Sequence, residues 1–317
     1  AMSDAIRVVG MMSGTSMDGI DVAEVVTDGI TVQEFGRTAY VPYSEDERQI
    51  LHRAMGQWDG LHVRAAAKLV TRLHARAFAA LDAGSVDLIG FHGQTLAHDP
   101  DNRRTLQVGD GEQLARDTSY PVVWDFRSAD VALGGHGAPL APFFHFACAK
   151  YIGVSDPIAF LNLGGVGNIT YVDPRLDDVT DLGAVLAFDT GPANAPLNDF
   201  MMARSGHAYD AHGALAATGT PDMDVVRAFL NTPYFRKLPP KSLDRNSFPQ
   251  IAELVAHMND ADGAATLCAI IAATVATGME LMPAPVSQVL VCGGGRHNPV
   301  IMSMLRAGLG VIAVIHT

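Results

Sequence analysis

Apolar and polar positions along the chain follow two rhythms. Short apolar stretches at 5–9, 20–26 and 30–35, joined by tight turns, predict three strands in an antiparallel meander. From 62 to 81 the spacing changes, and Ala66, Leu69, Val70, Leu73, Ala77 and Leu81 fall on one helical face. Val86–Phe91 and Tyr120–Trp124 then read as buried strands, ending in His92-Gly93-Gln94-Thr95 and Asp125-Phe126-Arg127. Strands that deliver polar groups at their C-terminal ends are what an open α/β sheet places around a ligand crevice.

The plan then repeats. A strand at 158–163 runs into Gly164-Gly165-Val166-Gly167-Asn168 and a second strand, Ile169–Val172. Val185–Phe188 is a further strand ending in Asp189-Thr190-Gly191-Pro192, with a helix expected from Ala195. A helix over 264–282 leads into strand Gln288–Cys292 and the turn Gly293-Gly294-Gly295. Two domains are expected, 1–133 and 134–317; the repeated plan, not a low-complexity linker, places the boundary.

Residues 10–21, Gly-Met-Met-Ser-Gly-Thr-Ser-Met-Asp-Gly-Ile-Asp, carry the most chemistry. Glycine lets backbone amides approach a polyanion, and hydroxyls add donors. Asp18 and Asp21 would repel phosphate directly, but a divalent cation or its bound water between them and the phosphate removes the conflict. A plain glycine-rich hairpin is the simpler reading, and the density of donors favours phosphate. G-x-G-x-x-G occurs in none of the glycine clusters, which weakens a Rossmann reading.

Composition narrows the class. The net charge of −12 over 317 residues, without a basic patch, argues against a nucleic-acid partner. Three cysteines in apolar runs fit reduced, buried thiols rather than a disulfide framework. Residues 1–20 lack a basic start and a continuous apolar core, so no secretory leader is expected. The apolar run 264–278 is short of the roughly 20 residues of a membrane span and reads as a buried helix. His92, His98, His136 and His145 show no zinc-ligand spacing. Asp189, at the end of an apolar strand, suits a desolvated general base, or equally a cap for the following helix.

Eight strings occur in order: Met-Ser-Gly-Thr-Ser-Met-Asp-Gly-Ile-Asp (12–21), His-Gly-Gln-Thr (92–95), Gln-Val-Gly-Asp (107–110), Asp-Phe-Arg (125–127), Leu-Gly-Gly-His-Gly-Ala-Pro-Leu (133–140), Asn-Leu-Gly-Gly-Val-Gly-Asn (162–168), Phe-Asp-Thr-Gly-Pro-Ala-Asn (188–194) and Val-Cys-Gly-Gly-Gly (291–295). Together they resemble the anhydro-N-acetylmuramic acid kinases, a family within the actin-like ATPase superfamily. The resemblance implies an α/β, actin-like (ribonuclease H-like) fold of two related domains with the active-site cleft between them. It implies ATP-dependent conversion of 1,6-anhydro-N-acetylmuramic acid and water to N-acetylmuramic acid 6-phosphate in cytoplasmic peptidoglycan recycling, with ATP and Mg²⁺ as cofactors. A homodimer is implied too, and neither a nucleic-acid nor a membrane partner is expected.

Carried onto this sequence, the resemblance makes Asp189 the base that activates water. Gly14, Thr15, Ser16, Met17, Asp18, Gly19, Ile20 and Asp21 would form the first phosphate hairpin, with Asp18 and Asp21 holding the metal. Gly164, Gly165, Gly167 and Asn168 would form the second, and Gly293, Gly294 and Gly295 would lie against the adenosine. His92, Gln94, Asp125, Arg127 and Asp130 would face the sugar; Arg127 either grips its lactyl carboxylate or pairs with Asp125 or Asp130. Lys241 would meet substrate or phosphate, a solvated lysine being its default reading. Ala193, the Leu243-Asp244 pair and His136 depart from residues usual in the family. A closing helix with a Gly-Asp-(Ala/Met)-Glu-Ala string normally follows the glycine-rich turn, and no such string follows here. A binding-only member of the same fold is therefore the alternative, although a pure binder would need no base at Asp189.

Overall fold

A computed structural model describes residues 4–317, which divide into a first unit ending at Leu140 and a second running from Ala141 to Thr317. This division lies a few residues beyond the expected 133/134.

In the first unit, β1 (Ile6–Ser13), β2 (Gly19–Thr27) and β3 (Val32–Pro42) form the antiparallel meander. β4 (Leu88–Asp99) joins the free side of β1 in parallel. β5 (Arg104–Val108) pairs antiparallel with the second half of β4, and β6 (Val122–Trp124) pairs parallel with its first half. The helix Leu61–Leu81 buries Val63, Ala66, Leu69, Val70, Leu73, Ala77 and Leu81 against this sheet, the face its spacing predicts. Each large aliphatic group so buried contributes about 1.5–3 kcal/mol of transfer free energy.

The second unit repeats the plan. β7 (Ile158–Leu163), β8 (Val166–Val172) and β9 (Val185–Pro192) form a meander. β10 (Gln288–Cys292) and β11 (Ala313–His316) then add in parallel on the free side of β7. The sheet orders are β3-β2-β1-β4-β5, with β6 also paired to β4, and β9-β8-β7-β10-β11, so the meander strands and the first strand added in parallel, β4 or β10, hold matching places. This duplication gives the α/β plan of two related domains expected from the sequence.

Helix Asp260–Met279 is long and apolar enough to cross a membrane by length and composition, but 72% of its most apolar window is buried within the structure. It forms the centre of the larger core with helix Pro299–Leu309, against Leu161, Ile169, Phe188 and Val291. Helix Ala141–Ile152 covers part of the opposite sheet face through Phe146 and Ala149.

Several elements differ from expectation: β1 runs on to Ser13 and β3 to Pro42, and the long core helix covers Asp260–Met279 rather than 264–282. β4 continues through His92-Gly93-Gln94-Thr95 instead of stopping at Phe91, because a bulge with Gly93 at φ +74° lets it resume pairing. β9 likewise runs through Asp189 to Pro192, paired along β8. β11 adds a strand where none was expected: its alternation is only four residues long, and pairing with β10 defines it.

Candidate functional site

In the first unit, the β1–β2 connection is a tight turn closed by the Met17 N–H donating to Gly14 O at 3.0 Å. Met17 takes a left-handed φ of +52° and buries its side chain, which pins the turn to the core and leaves Thr15, Ser16 and Asp18 outward. Ile20 is also a core residue, so Met17 and Ile20 can meet a ligand through backbone alone. Ser16 Oγ donates to Asp18 at 2.7 Å. Asp21 lies exposed on β2, opposite Met12 on one side and Tyr40 on the other. Burial pushes the Tyr40 hydroxyl up to about 12, and the charges of Asp18 and Asp21 add to that.

The bulge in β4 shapes the next cluster. A side chain at position 93 would run into the Val108 carbonyl, so the turn of backbone that presents His92 requires glycine. Arg127 Nε donates to His92 Nε2 at 2.9 Å, and Arg127 Nη1 donates to Gly137 O at 2.6 Å. With Nε2 accepting, the imidazole proton must sit on Nδ1, which lies 3.0 Å from Gly93 O. Burial, and then the Arg127 charge, lower the His92 pKa and hold the ring neutral. Asp130 accepts from Gly137 N–H at 2.7 Å and so ties the glycine-rich loop to its own helix. Arg127 thus bonds to His92 and Gly137 rather than to Asp125 or Asp130. Asp125 is exposed and takes a left-handed φ of +58°. Gln94 lies wholly inside, where its carbonyl accepts from Ser13 Oγ.

In the second unit the polar residues form a row across the sheet. Asn162 pairs with Asn168 and Asn168 with Asp189, while Cys292 lies beside Asn162 on the other flank. Residues directly paired across strands share a face, so these groups line one side of the strand ends. Asp189 sits in a cradle made by a distant stretch of chain. Its carboxylate accepts from Leu243 N–H at 2.7 Å, and its backbone oxygen accepts from the Tyr234 hydroxyl at 2.6 Å. Burial raises the Asp189 pKa above the ordinary carboxylate value, and the Leu243 bond only partly opposes this. Asp189 is not a helix cap: helix Asn194–Ser205 has Ala193 at its N-cap, with no side-chain bond. Lys241 Nζ lies 4.6 Å from the centre of the Tyr234 ring, and burial lowers its pKa.

The second hairpin turns at Gly164 and Gly165. Their carbonyls accept from Asn194 N–H at 2.8 Å and Ala193 N–H at 3.0 Å, locking the turn onto the helix start. The glycines sort into two kinds. A Cβ at Gly19 would stand 2.6 Å from the Val41 carbonyl, and one at Gly293 would stand 2.7 Å from Leu163 backbone, so internal packing requires both glycines. At Gly14, Gly164 and Gly294 the nearest atoms to a Cβ are 3.7–3.8 Å away, and the fold itself makes no such demand. Gly167 and Gly295 belong to the packed group, against Thr190 and Leu163, whereas Gly165 meets only Ala195, at 3.5 Å.

Among the described residues no cluster of three metal-ligating side chains occurs. Two carboxylates, Asp18 and Asp21, beside a turn with free approach at Gly14 suit a magnesium ion that takes its remaining ligands from water and phosphate. The sequence reading missed Ser13, Tyr43 and Leu243. Ser13 lies inside a motif and Leu243 at one of the departures noted above, but the contacts through which Tyr43 and Leu243 act are encoded by no local pattern.

A family model for anhydro-N-acetylmuramic acid kinase matches residues 6–317. The chain is 57% identical over 307 residues to the anhydro-N-acetylmuramic acid kinase of Ruegeria sp. (strain TM1040), covering 97% of this chain and 81% of that protein. It is 55% identical over 309 residues to that of Roseobacter denitrificans, covering 98% and 81%. It is 47% identical over 308 residues to that of Paramagnetospirillum magneticum, covering 95% and 84%. Among solved structures, component A of the Acidaminococcus fermentans (R)-2-hydroxyglutaryl-CoA dehydratase aligns with a TM-score of 0.45 at 12% identity, covering 98% of this chain and 92% of that one. By family match and relatives alike, the chain belongs to the anhydro-N-acetylmuramic acid kinase family.

Proposed function

We propose that this chain transfers the γ-phosphoryl group of ATP to the 6-oxygen of 1,6-anhydro-N-acetylmuramic acid while water opens the anhydro bridge. Water adds to the anomeric carbon, the bond from that carbon to the 6-oxygen breaks, and the 6-oxygen takes the phosphoryl group. The products are N-acetylmuramic acid 6-phosphate and ADP, with the water proton passing to Asp189 and then to solvent. The observation that carries this reading is the Asp189 carboxylate, buried enough to be basic and fixed by the Leu243 N–H.

The other assignments follow the same chemistry. Gly14, Thr15, Ser16 and the backbone through Asp21 bind phosphate, as do Gly164, Gly165, Gly167 and Asn168; Gly293–Gly295 support the adenosine. Asp18 and Asp21 would hold Mg²⁺, which when bound neutralises phosphate charge. His92, Asp125, Arg127 and Asp130 recognise the sugar, Arg127 with the guanidinium nitrogen not committed to His92 or Gly137. Gln94, being internal, supports that cluster from behind. A cytoplasmic homodimer taking part in peptidoglycan recycling completes the proposal.

The test is ADP release with ATP and Mg²⁺, with and without the anhydro sugar, for the parent chain and Asp189→Asn. Sugar-dependent release that collapses in the variant is the expected result. Release independent of sugar, or unaffected by the variant, would overturn it.

A further inference from the structure

Tyr43, one residue beyond β3, spans both stems of the first hairpin. Its backbone N–H donates to Asp18 O at 2.9 Å, and its hydroxyl donates to Ser13 Oγ at 2.7 Å. Ser13 and Asp18 are the residues on either side of the Gly14–Met17 turn, so Tyr43 bridges the two stems beyond the last strand pair, Ser13–Ile20. Ser13 then donates to Gln94 Oε1, and Gln94 Nε2 donates to Thr95 O at 3.1 Å. Tyr43, Ser13 and Gln94 are 7%, 1% and 0% exposed.

The direction of this chain is fixed by chemistry. Burial pushes the Tyr43 hydroxyl up to about 12, so it remains a protonated donor. The serine proton is committed to the Gln94 carbonyl, and the amide NH₂ to backbone. A buried polar chain is costly unless every member is satisfied, and here each one is. Tyr43 itself is anchored: Ser44, next in sequence, caps the helix Glu45–Ala54 with a reciprocal Ser44–Glu47 capping box.

We infer that Tyr43 is a positioning residue for the phosphate hairpin, holding its mouth open at one width and linking it, through Ser13 and Gln94, to the strand bulge that presents His92. This rests on the proposed phosphate-binding role of the hairpin. Without the tyrosine hydroxyl, Ser13 loses its donor and only the backbone bond to Asp18 remains.

The test uses the full chain with Tyr43→Phe, which deletes one oxygen, and Ser13→Ala, which deletes its acceptor. Tyr120→Phe, whose hydroxyl meets Gly84 O at 3.4 Å elsewhere in the unit, is the control. Amide exchange of the free chain should rise about tenfold over residues 13–18 in both variants and not in the control. The KM for ATP should rise by a similar factor, with kcat within about twofold of the parent. Exchange that rises uniformly through the unit with KM unchanged, or no change in either, would overturn the inference. If the parent turns over no ATP while exchange at the hairpin still rises, the clasp stands and the kinase reading fails.

Discussion

Arg127 Nε donates to His92 Nε2 at 2.9 Å, a bond that exists only while the imidazole is neutral and protonated on Nδ1. Protonation would set two N–H groups against each other beside a fixed positive charge. The fold depresses the His92 pKa below its ordinary 6.5, so the contact is complete above that value and is lost as pH falls through the lowered one. NMR titration should show the Nδ1–H tautomer, with an inflection below pH 6.5. Sugar affinity should fall over the same range, and His92→Gln, which keeps an acceptor for Arg127, should flatten that fall.

Asp189→Asn should lower kcat by about two to four orders of magnitude and leave nucleotide affinity near the parent's, measured by initial rates and calorimetry. In the parent, activity should fall with decreasing pH through a value above the ordinary carboxylate pKa of 3.8, because in the proposed role Asp189 would work deprotonated. The same burial that raises this pKa destabilises the charged folded state at neutral pH. Asp189→Asn should therefore melt no lower than the parent at pH 7, so lost activity would not reflect lost folding.

His74 is wholly buried on the helix Leu61–Leu81, with Nδ1 bonded to Val70 O at 2.7 Å and Nε2 without a partner. Burial drives its pKa to about 4, so its neutral form stabilises the fold above pH 6.5 and that contribution is lost as pH falls toward 4. The loss is on the order of 2–3 kcal/mol across that window. Urea unfolding at pH 7 and pH 5 should show a smaller acid loss for His74→Met than for the parent. An equal loss in the two proteins would place the acid sensitivity elsewhere.

The two kinds of glycine predict opposite phenotypes. Gly19→Ala and Gly293→Ala force a Cβ into backbone, and should cost about 1–3 kcal/mol of stability in chemical denaturation. Gly14→Ala and Gly294→Ala find room in the protein itself and should unfold with the parent. Those two should instead weaken nucleotide binding by calorimetry, because the added methyl would occupy the space through which, in the proposed function, the backbone meets the nucleotide.

The helix over 61–81 was legible because amphipathic spacing is a local property, and its buried face is the one that the apolar positions mark. Both meanders, the long core helix (264–282 by sequence, 260–279 in the structure) and the ordered strings that place the chain in its family were equally open to reading, since each is written in consecutive residues. Contacts between distant stretches were not. Nothing local to Asp189 points to Leu243, Arg127 gives no sign of preferring His92 over Asp125, and Tyr43 carries no motif at all. Strand ends escape a local reading for the same reason: a bulge at Gly93 and the partner β8 decide where β4 and β9 stop. Sequence by itself determined the periodicities, the glycine turns and the chemical groups available. Tertiary structure decided which of those groups are buried, which share a face and which hydrogen bonds fix their protonation, because burial and pairing arise only when segments far apart in the chain are packed together.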